Sequence, residues 1–314
     1  MKKILLLILF LTGCQVFSQI TVNIKPSHND YMQYDAIRLR IYLKNYSSMP
    51  ITFGHNEQLR GELEFIVYHK NRKLLERLPG KAPILSGIIL KPGETRNITI
   101  NLAKYYPLQE LGNYNVTALI KHPRLSGTYR SNEANFRVGK GSRYWHRLFG
   151  VPDYTGKHTL RGKIPTRTYD VRIFNNGRAP IYYLLIEDDE KVYAVKRLAF
   201  DLGSDLRPQL LVDATARLHA MMSITQKVFI YYRYNYNGKL EKRQVYLKTS
   251  TTPYLISNPK DGSIIVDGGR VAVKDKDYEE IKDLPFMDHI EDQKPNPDSF
   301  GTFEDFREVN QQDF

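Results

Sequence analysis

His219 and Asp213 stand six residues apart on either side of a turn, in Leu211-Val212-Asp213 and Arg217-Leu218-His219. An imidazole within reach of a carboxylate can serve as a general base. Hydrolytic chemistry also needs an activated nucleophile, and no GxSxG sequence accompanies the pair. A strand histidine hydrogen-bonded to a local carboxylate is therefore the plainer expectation. The other histidines, His28, His55, His69, His122, His146, His158 and His289, show no HExxH or HxH spacing. Without that spacing the sequence offers no histidine-based metal motif.

The carboxylates are no more suggestive. Glu187-Asp188-Asp189-Glu190 falls on a predicted hairpin tip, where acids are common turn formers. Asp275, Asp277, Glu279 and Glu280 lack the glycine and ligand spacing of a calcium loop. There is no Walker motif and no GxGxxG sequence to cradle phosphates. No cofactor, metal or catalytic residue is expected, and the chain is not expected to be an enzyme.

The best ligand candidate is the basic, tyrosine-rich run from Tyr231 to Lys248. Tyr231, Tyr232, Tyr234 and Tyr236 offer aromatic faces for stacking, and Arg233, Lys242 and Arg243 offer positive charge for anionic groups. The competing expectation is a hairpin whose alternating Tyr and Lys/Arg suit a solvated sheet face.

These residues belong to a chain of 314 residues with 41% hydrophobic, 25% charged and 12% aromatic side chains, a composition that folds. The length suggests two domains. Residues 274–314 hold 13 acids against 5 bases, so the formal net charge of +12 hides a strongly basic body and an acidic tail. The tail, with Pro295, Pro297, Phe300, Phe303 and Phe306, is expected to be mostly disordered.

The first 19 residues read as an export signal: Lys2 and Lys3 precede an apolar run from Ile4 to Leu11 that is too short to span a bilayer. Leu11-Thr12-Gly13-Cys14 resembles the bacterial lipobox, whose cysteine is acylated. Ordinary cleavage near Val16-Phe17-Ser18-Gln19 would instead discard Cys14. It is the only cysteine, which excludes an internal disulfide framework.

Residues 20–140 alternate at period two: Ile37, Leu39, Ile41 and Leu43 point one way, and Leu63, Phe65, Val67 and Tyr114, Val116, Ala118, Ile120 repeat the pattern. Seven or eight such strands predict an antiparallel β-sandwich. Tyr114, at the start of a late strand in Gly112-Asn113-Tyr114-Asn115-Val116, occupies a tyrosine-corner position, and the stretch resembles immunoglobulin-like accessory domains of exported bacterial proteins. Residues 141–167, rich in Gly and basic side chains and holding the sole tryptophan, Trp145, are expected as a basic linker whose Trp145, Leu148 and Phe149 pack at a junction. From 168 to 274 a second antiparallel β domain of blade-like meanders is predicted, with turns at Asn237-Gly238 and Asp261-Gly262. A weak repeat relates Lys191-Val192-Tyr193 with Arg197 to Lys227-Val228-Phe229 with Arg233; it resembles propeller blades, although too few units are present to close a ring.

The fold class is thus all-β, and the whole resembles exported bacterial proteins that join an N-terminal immunoglobulin-like domain to a blade-like β domain. No activity comes with that resemblance. The expected function is a non-catalytic binding or scaffolding protein of the bacterial envelope, lipid-anchored through Cys14. It would sit in the periplasm or at the outer-membrane or cell surface. Its partners would be anionic polysaccharide, lipopolysaccharide or an envelope protein, not nucleic acid. The alternative is a hydrolase of extracellular polysaccharide that carries the immunoglobulin-like domain as an accessory.

Overall fold

The structure, a computed structural model, describes residues 19–70, 73–80, 83–152, 164–177, 179–203, 206–273 and 276–277. Cys14 and the rest of the signal region to residue 18, linker residues 153–163, and the tail from 278 with Phe300, Phe303 and Phe306 lie outside the described residues. So do Asp275, Glu279 and Glu280 of the acidic cluster.

The described residues form an all-β fold of antiparallel sheets, none of them closed. In chain order the strands begin with β1 (Ile20–Pro26), β2 (Asp30–Met32), β3 (Arg38–Asn45), β4 (Ile51–Phe53), β5 (Gly61–His69), β6 (Lys73–Leu74) and β7 (Ile84–Leu85). They continue with β8 (Ile88–Leu90), β9 (Thr95–Asn101), β10 (Gly112–Lys121), β11 (Tyr129–Gly139), β12 (Ser142–Gly150), β13 (Thr166–Asn175), β14 (Pro180–Glu187) and β15 (Val192–Phe200). The last are β16 (Gln209–Val212), β17 (Leu218–Ser223), β18 (Val228–Tyr234), β19 (Leu240–Leu247), β20 (Tyr254–Ser257), β21 (Ile264–Asp267) and β22 (Arg270–Val271). Two compact units form: the first holds residues 19–29 and the described residues of Ala36–Arg137, the second Asp30–Asp35 and the described residues from 138 to 277.

In the first unit β3 lies between β1 and β9, and β10 lies between β5 and β11. The pairing sets Val22 opposite Leu43, Ile24 opposite Ile41, Val116 opposite Val67 and Ala118 opposite Phe65, so successive apolar residues fall on one buried face. Tyr114 is fully buried against Phe136, and its hydroxyl donates to the Glu110 carbonyl at 2.7 Å, tying the entry of β10 to the turn before it.

The second unit is two meanders that share one core. Strands β12–β13–β14–β15 form one sheet, and β16–β17–β18–β19 with β22 form the other. Their facing sides meet through Val171, Leu184, Ile186 and Leu198 on one sheet and Leu218, Ala220, Ile230 and Tyr232 on the other. Each such aliphatic side chain contributes about 1.5–3 kcal/mol of burial free energy. Two phenol hydroxyls stitch the layers: Tyr169 donates to the Ala216 carbonyl at 2.7 Å and Tyr232 to that of Leu198 at 3.1 Å.

Part of the expected linker is a strand. Residues 142–150 form β12, the edge strand paired to β13 from Ser142↔Ile173 to Gly150↔Thr166. Its glycines lie at or outside its ends and do not interrupt it. Gly141 takes φ +70°, and a Cβ there would lie 2.7 Å from the Ile173 carbonyl oxygen. Tyr144, Trp145 and Phe149 pack on the common core, while Arg143, His146, Arg147 and Leu148 remain exposed.

The short segment Asp30–Asp35 belongs to the second unit although it precedes most of the first. Met32 is buried among Phe174, Ile181, Tyr183 and Leu185. Asp35 receives Arg197 Nη2 at 2.6 Å, Arg197 Nε at 3.1 Å and the Tyr183 hydroxyl at 3.0 Å, all on one carboxylate oxygen. Deleting one partner of such a pair leaves the other charge stranded in a mostly dry site. Asp35→Ala is expected to cost about 3 kcal/mol. The double variant Asp35→Ala/Arg197→Met should cost less than the single one, as read from urea unfolding.

Candidate functional site

The site is built on the face of β16–β19 turned away from the common core. Antiparallel pairing places Leu211, His219, Arg233 and Lys242 in one row across four strands, with Met221, Tyr231 and Gln244 in the next. Towards one end this face is apolar: Met221, Phe229, Tyr231 and Tyr246 are covered by Leu255, Ile264 and Val266 of the β20–β21 hairpin. Towards the other it is ionic.

The β16–β17 turn supplies the first ionic group. Asp213 Oδ1 accepts from the Thr215 amide (2.8 Å), the Thr215 hydroxyl (2.7 Å) and the Arg217 amide (2.9 Å), which holds a turn whose Ala216 sits at φ +60°. The other oxygen, Oδ2, lies 3.1 Å from His219 Nε2. His219 Nδ1 lies 2.8 Å from the Tyr231 hydroxyl. Because the carboxylate can only accept, Nε2 carries the hydrogen, and Tyr231 donates to Nδ1.

Burial sets the protonation of this chain. It pushes His219 below its ordinary range, outweighing the opposing pull of Asp213, so the imidazole is neutral. Burial alone would raise Asp213, but the Arg217 amide, Thr215 and His219 together hold it low. The Tyr231 phenol is pushed up to about 12, chiefly by burial. His219 is 3% exposed and Tyr231 4%. The hydroxyl is closed off from solvent, and every polar atom named in the Asp213–His219–Tyr231 chain has a partner.

The second ionic group depends on an irregularity in β19. The register slips between Arg233 and Tyr234, so Arg233 pairs with Lys242, Tyr234 pairs with Leu240, and Glu241 is the extra residue. Glu241 Oε2 then lies 2.9 Å from Arg217 Nε and 3.2 Å from Arg233 Nε. Arg217 Nη1 donates to the Thr215 hydroxyl at 2.9 Å. The two guanidinium groups are held by one carboxylate, each about one-third exposed, and Lys242 Nζ lies 5.8 Å from the Tyr231 ring centroid. Glu241 and the nearby Asp213 offset two of the three cations Arg217, Arg233 and Lys242, which leaves a small positive excess on this face.

The tyrosine run therefore does not form one surface. Tyr231 faces the ionic side but is buried in the apolar cluster. Tyr232 and Tyr234 point into the common core, stacked on each other at 5.9 Å. None of the three has a face left for a ligand, which corrects the stacking expectation: successive residues of a strand alternate sides, and both sides of β18 are covered. Arg243 pairs with Tyr232 in register and lies on the side opposite Lys242. Tyr236 lies beyond the end of β18, where its carbonyl accepts from Arg167 Nη1 at 2.9 Å and its ring lies 5.5 Å from that guanidinium. Of the seven residues, Arg233 and Lys242 present charge at the site. Arg217 and Glu241 were not among them, and only the β19 irregularity brings Glu241 there.

The acidic clusters have structural duties. Asp188 Oδ1 accepts from the Glu190 and Lys191 amides at 2.9 Å each, and Oδ2 accepts from the Tyr193 hydroxyl, closing the β14–β15 turn. Asp277 takes both Arg270 Nη atoms at 2.7 Å and the Val273 amide at 2.8 Å.

No family model and no curated protein sequence matches the chain. Among solved structures, one resemblance is to the Pseudomonas fluorescens alkylpurine DNA glycosylase AlkC bound to DNA containing an abasic site analogue. It has 14% identity and a TM-score of 0.24, and it covers 42% of this chain and about a third (33%) of that one. Another is to the Bacillus subtilis sporulation control protein Spo0M, with 11% identity, 66% and 80% coverage and a TM-score of 0.23. Similarity this slight carries no argument about fold or function.

The network makes stability pH-dependent. Both His219 and Asp213 have folded pKa values below their unfolded ones, so each contributes stability at neutral pH that acid removes. His219 acts first, as pH falls from about 6.5 towards its lowered folded value, where the unfolded chain takes up the proton that the fold refuses. The melting temperature of the wild-type protein should drop from pH 7.5 to 5.5. His219→Gln should melt lower at pH 7.5 and show a visibly flatter profile across that interval.

Proposed function

We propose that the chain is an exported, lipid-anchored, non-catalytic binding protein of the bacterial envelope that recognises polyanions through the second unit. The observation that supports this most is the pair Arg217 and Arg233, fixed side by side by Glu241 with Lys242 alongside. Guanidinium groups held in place before binding pay less ordering cost when an anionic group arrives, and their forks suit sulfate, phosphate or carboxylate. The basic body of the chain adds long-range attraction for such polymers. The first unit is read as an immunoglobulin-like sandwich, supported by the Tyr114 hydroxyl bond back to Glu110. The two meanders of the second unit are read as blade-like. This pairing is the one that the sequence resemblance to exported bacterial proteins suggests.

The direct test is binding of dextran sulfate by the mature protein at low ionic strength. Arg217→Ala/Arg233→Ala should weaken it about tenfold or more and make the salt dependence shallower, because fewer counterions are exchanged. Unchanged affinity and slope would exclude this patch as the anion site.

A hydrolase of extracellular polysaccharide is the second reading. In its favour, His219 does meet both Asp213 and a hydroxyl; against it, that hydroxyl is buried. Release of reducing ends by the wild-type protein and not by His219→Gln would select it.

The anchor is tested separately. Radiolabelled palmitate should enter the wild-type protein in its host and be absent from Cys14→Ala. An unlabelled wild-type protein would show that Cys14 leaves with the signal.

A further inference from the structure

A polar cleft of about 680 Å³ opens in the first unit between the start of β1 and the start of β11. It is a groove open to solvent along much of its length and not an enclosed cavity. Two side-chain amides span its ends. At one, Gln19 Oε1 receives the Ser126 amide at 3.2 Å and the Tyr129 hydroxyl at 3.2 Å. At the other, Asn132 Oδ1 accepts from the Ile24 amide at 2.8 Å, and Asn132 Nδ2 donates to the Ile24 carbonyl at 3.1 Å. Asn132 thereby fills the place that a neighbouring strand's backbone would take on the edge of β1.

Between these bridges the lining is rich in hydroxyl, amide and cationic groups. The side chains of Thr21, Asn23, Thr128 and Arg130 make no hydrogen bond to another described residue. At the mouth stands Tyr46, 55% exposed, with Lys44 Nζ 4.6 Å from its ring centroid. An exposed aromatic ring beside uncommitted donors and acceptors suits a sugar, which offers C–H faces for the ring and hydroxyls for the polar groups. An extended peptide suits it less well. Only residues 20–23 of β1 lie between the bridges, a run of about 13 Å at roughly 3.3 Å per residue, and a longer strand would have to displace Gln19 or Asn132. Arg130 is the charged residue of the lining, and Lys44 adds a second positive charge beside Tyr46, so an anionic ligand is favoured.

We propose that this cleft binds a short stretch of acidic polysaccharide, about two or three rings long, with a uronate carboxylate directed to Arg130 and Lys44. A chain processed at Cys14 keeps Gln19 and with it the bridge at the cleft's end. The inference shares with the proposed function only the broad class of ligand; its residues lie in the first unit, and its failure would leave the arginine pair of the second unit untouched.

The test is calorimetric titration of the full mature protein with trigalacturonate and with neutral cellotriose. Saturable binding of trigalacturonate is expected, with at least about tenfold loss in Tyr46→Ala and in Arg130→Ala, both exposed positions whose melting temperatures should stay at the wild-type value. Arg217→Ala/Arg233→Ala should bind trigalacturonate like the wild type. Absence of saturable binding at millimolar sugar, or full affinity in Tyr46→Ala/Arg130→Ala, would overturn the proposal. So would loss of binding in the arginine double variant, which would place the sugar on the other unit. Equal affinity for cellotriose would overturn the assignment to an acidic sugar.

Discussion

Strand β18 is covered on both faces, and the second unit is organised around that fact. Its Val228, Ile230, Tyr232 and Tyr234 enter the core shared by two sheets, while Phe229 and Tyr231 enter the cluster under the β20–β21 hairpin. A strand buried on both sides cannot slip register by one residue without exchanging two unlike sets of side chains, so its position fixes those of β17 and β19. Arg233, the only partly exposed residue of the strand, is therefore delivered to one place on one face.

Electrostatics on that face follows from what the core leaves uncovered. Asp213, His219 and Tyr231 are close enough to resemble a catalytic relay, but the chain ends in a phenol buried in the cluster under the β20–β21 hairpin. Every polar atom named in it has a partner, which is what a buried network needs to be stable. Reactivity requires the opposite, a group poised and incompletely satisfied at a surface. Glu241 instead pairs with two partly exposed guanidinium groups, a setting that suits the anion capture proposed above.

Much of the fold is legible in the sequence, because a period of two is a local signal. The alternations in β3, β5 and β10, the Asn237-Gly238 turn and the nearness of His219 to Asp213 all lie within short windows. What is not legible depends on contacts distant in sequence. The burial of Tyr232 and Tyr234 requires a second sheet opposite them, and Asp35 meets Arg197 from 162 residues away. The β12 strand is hidden by flanking glycines that read as a linker until β13 is beside it. The slip in β19 that brings Glu241 between two arginines is an irregularity of pairing, for which composition and periodicity give no sign.

The proposed anion patch and the Asp213–His219–Tyr231 network meet at one residue. The Arg217 amide is held by Asp213 Oδ1, the carboxylate whose other oxygen holds His219, while the Arg217 guanidinium is held by Glu241. Protonating His219 puts an added charge beside Arg217 and Arg233, both of which already press its pKa downward. Acid therefore lowers the stability of the unit that carries Arg217 while the arginine keeps its own charge. An anion bound at the patch would work in the opposite sense, offsetting the positive charge around His219 and easing its protonation. If the proposed patch binds an anion, that binding and the His219 proton are linked reciprocally: an anion that stabilises the patch must also shift the pH at which His219 takes up its proton.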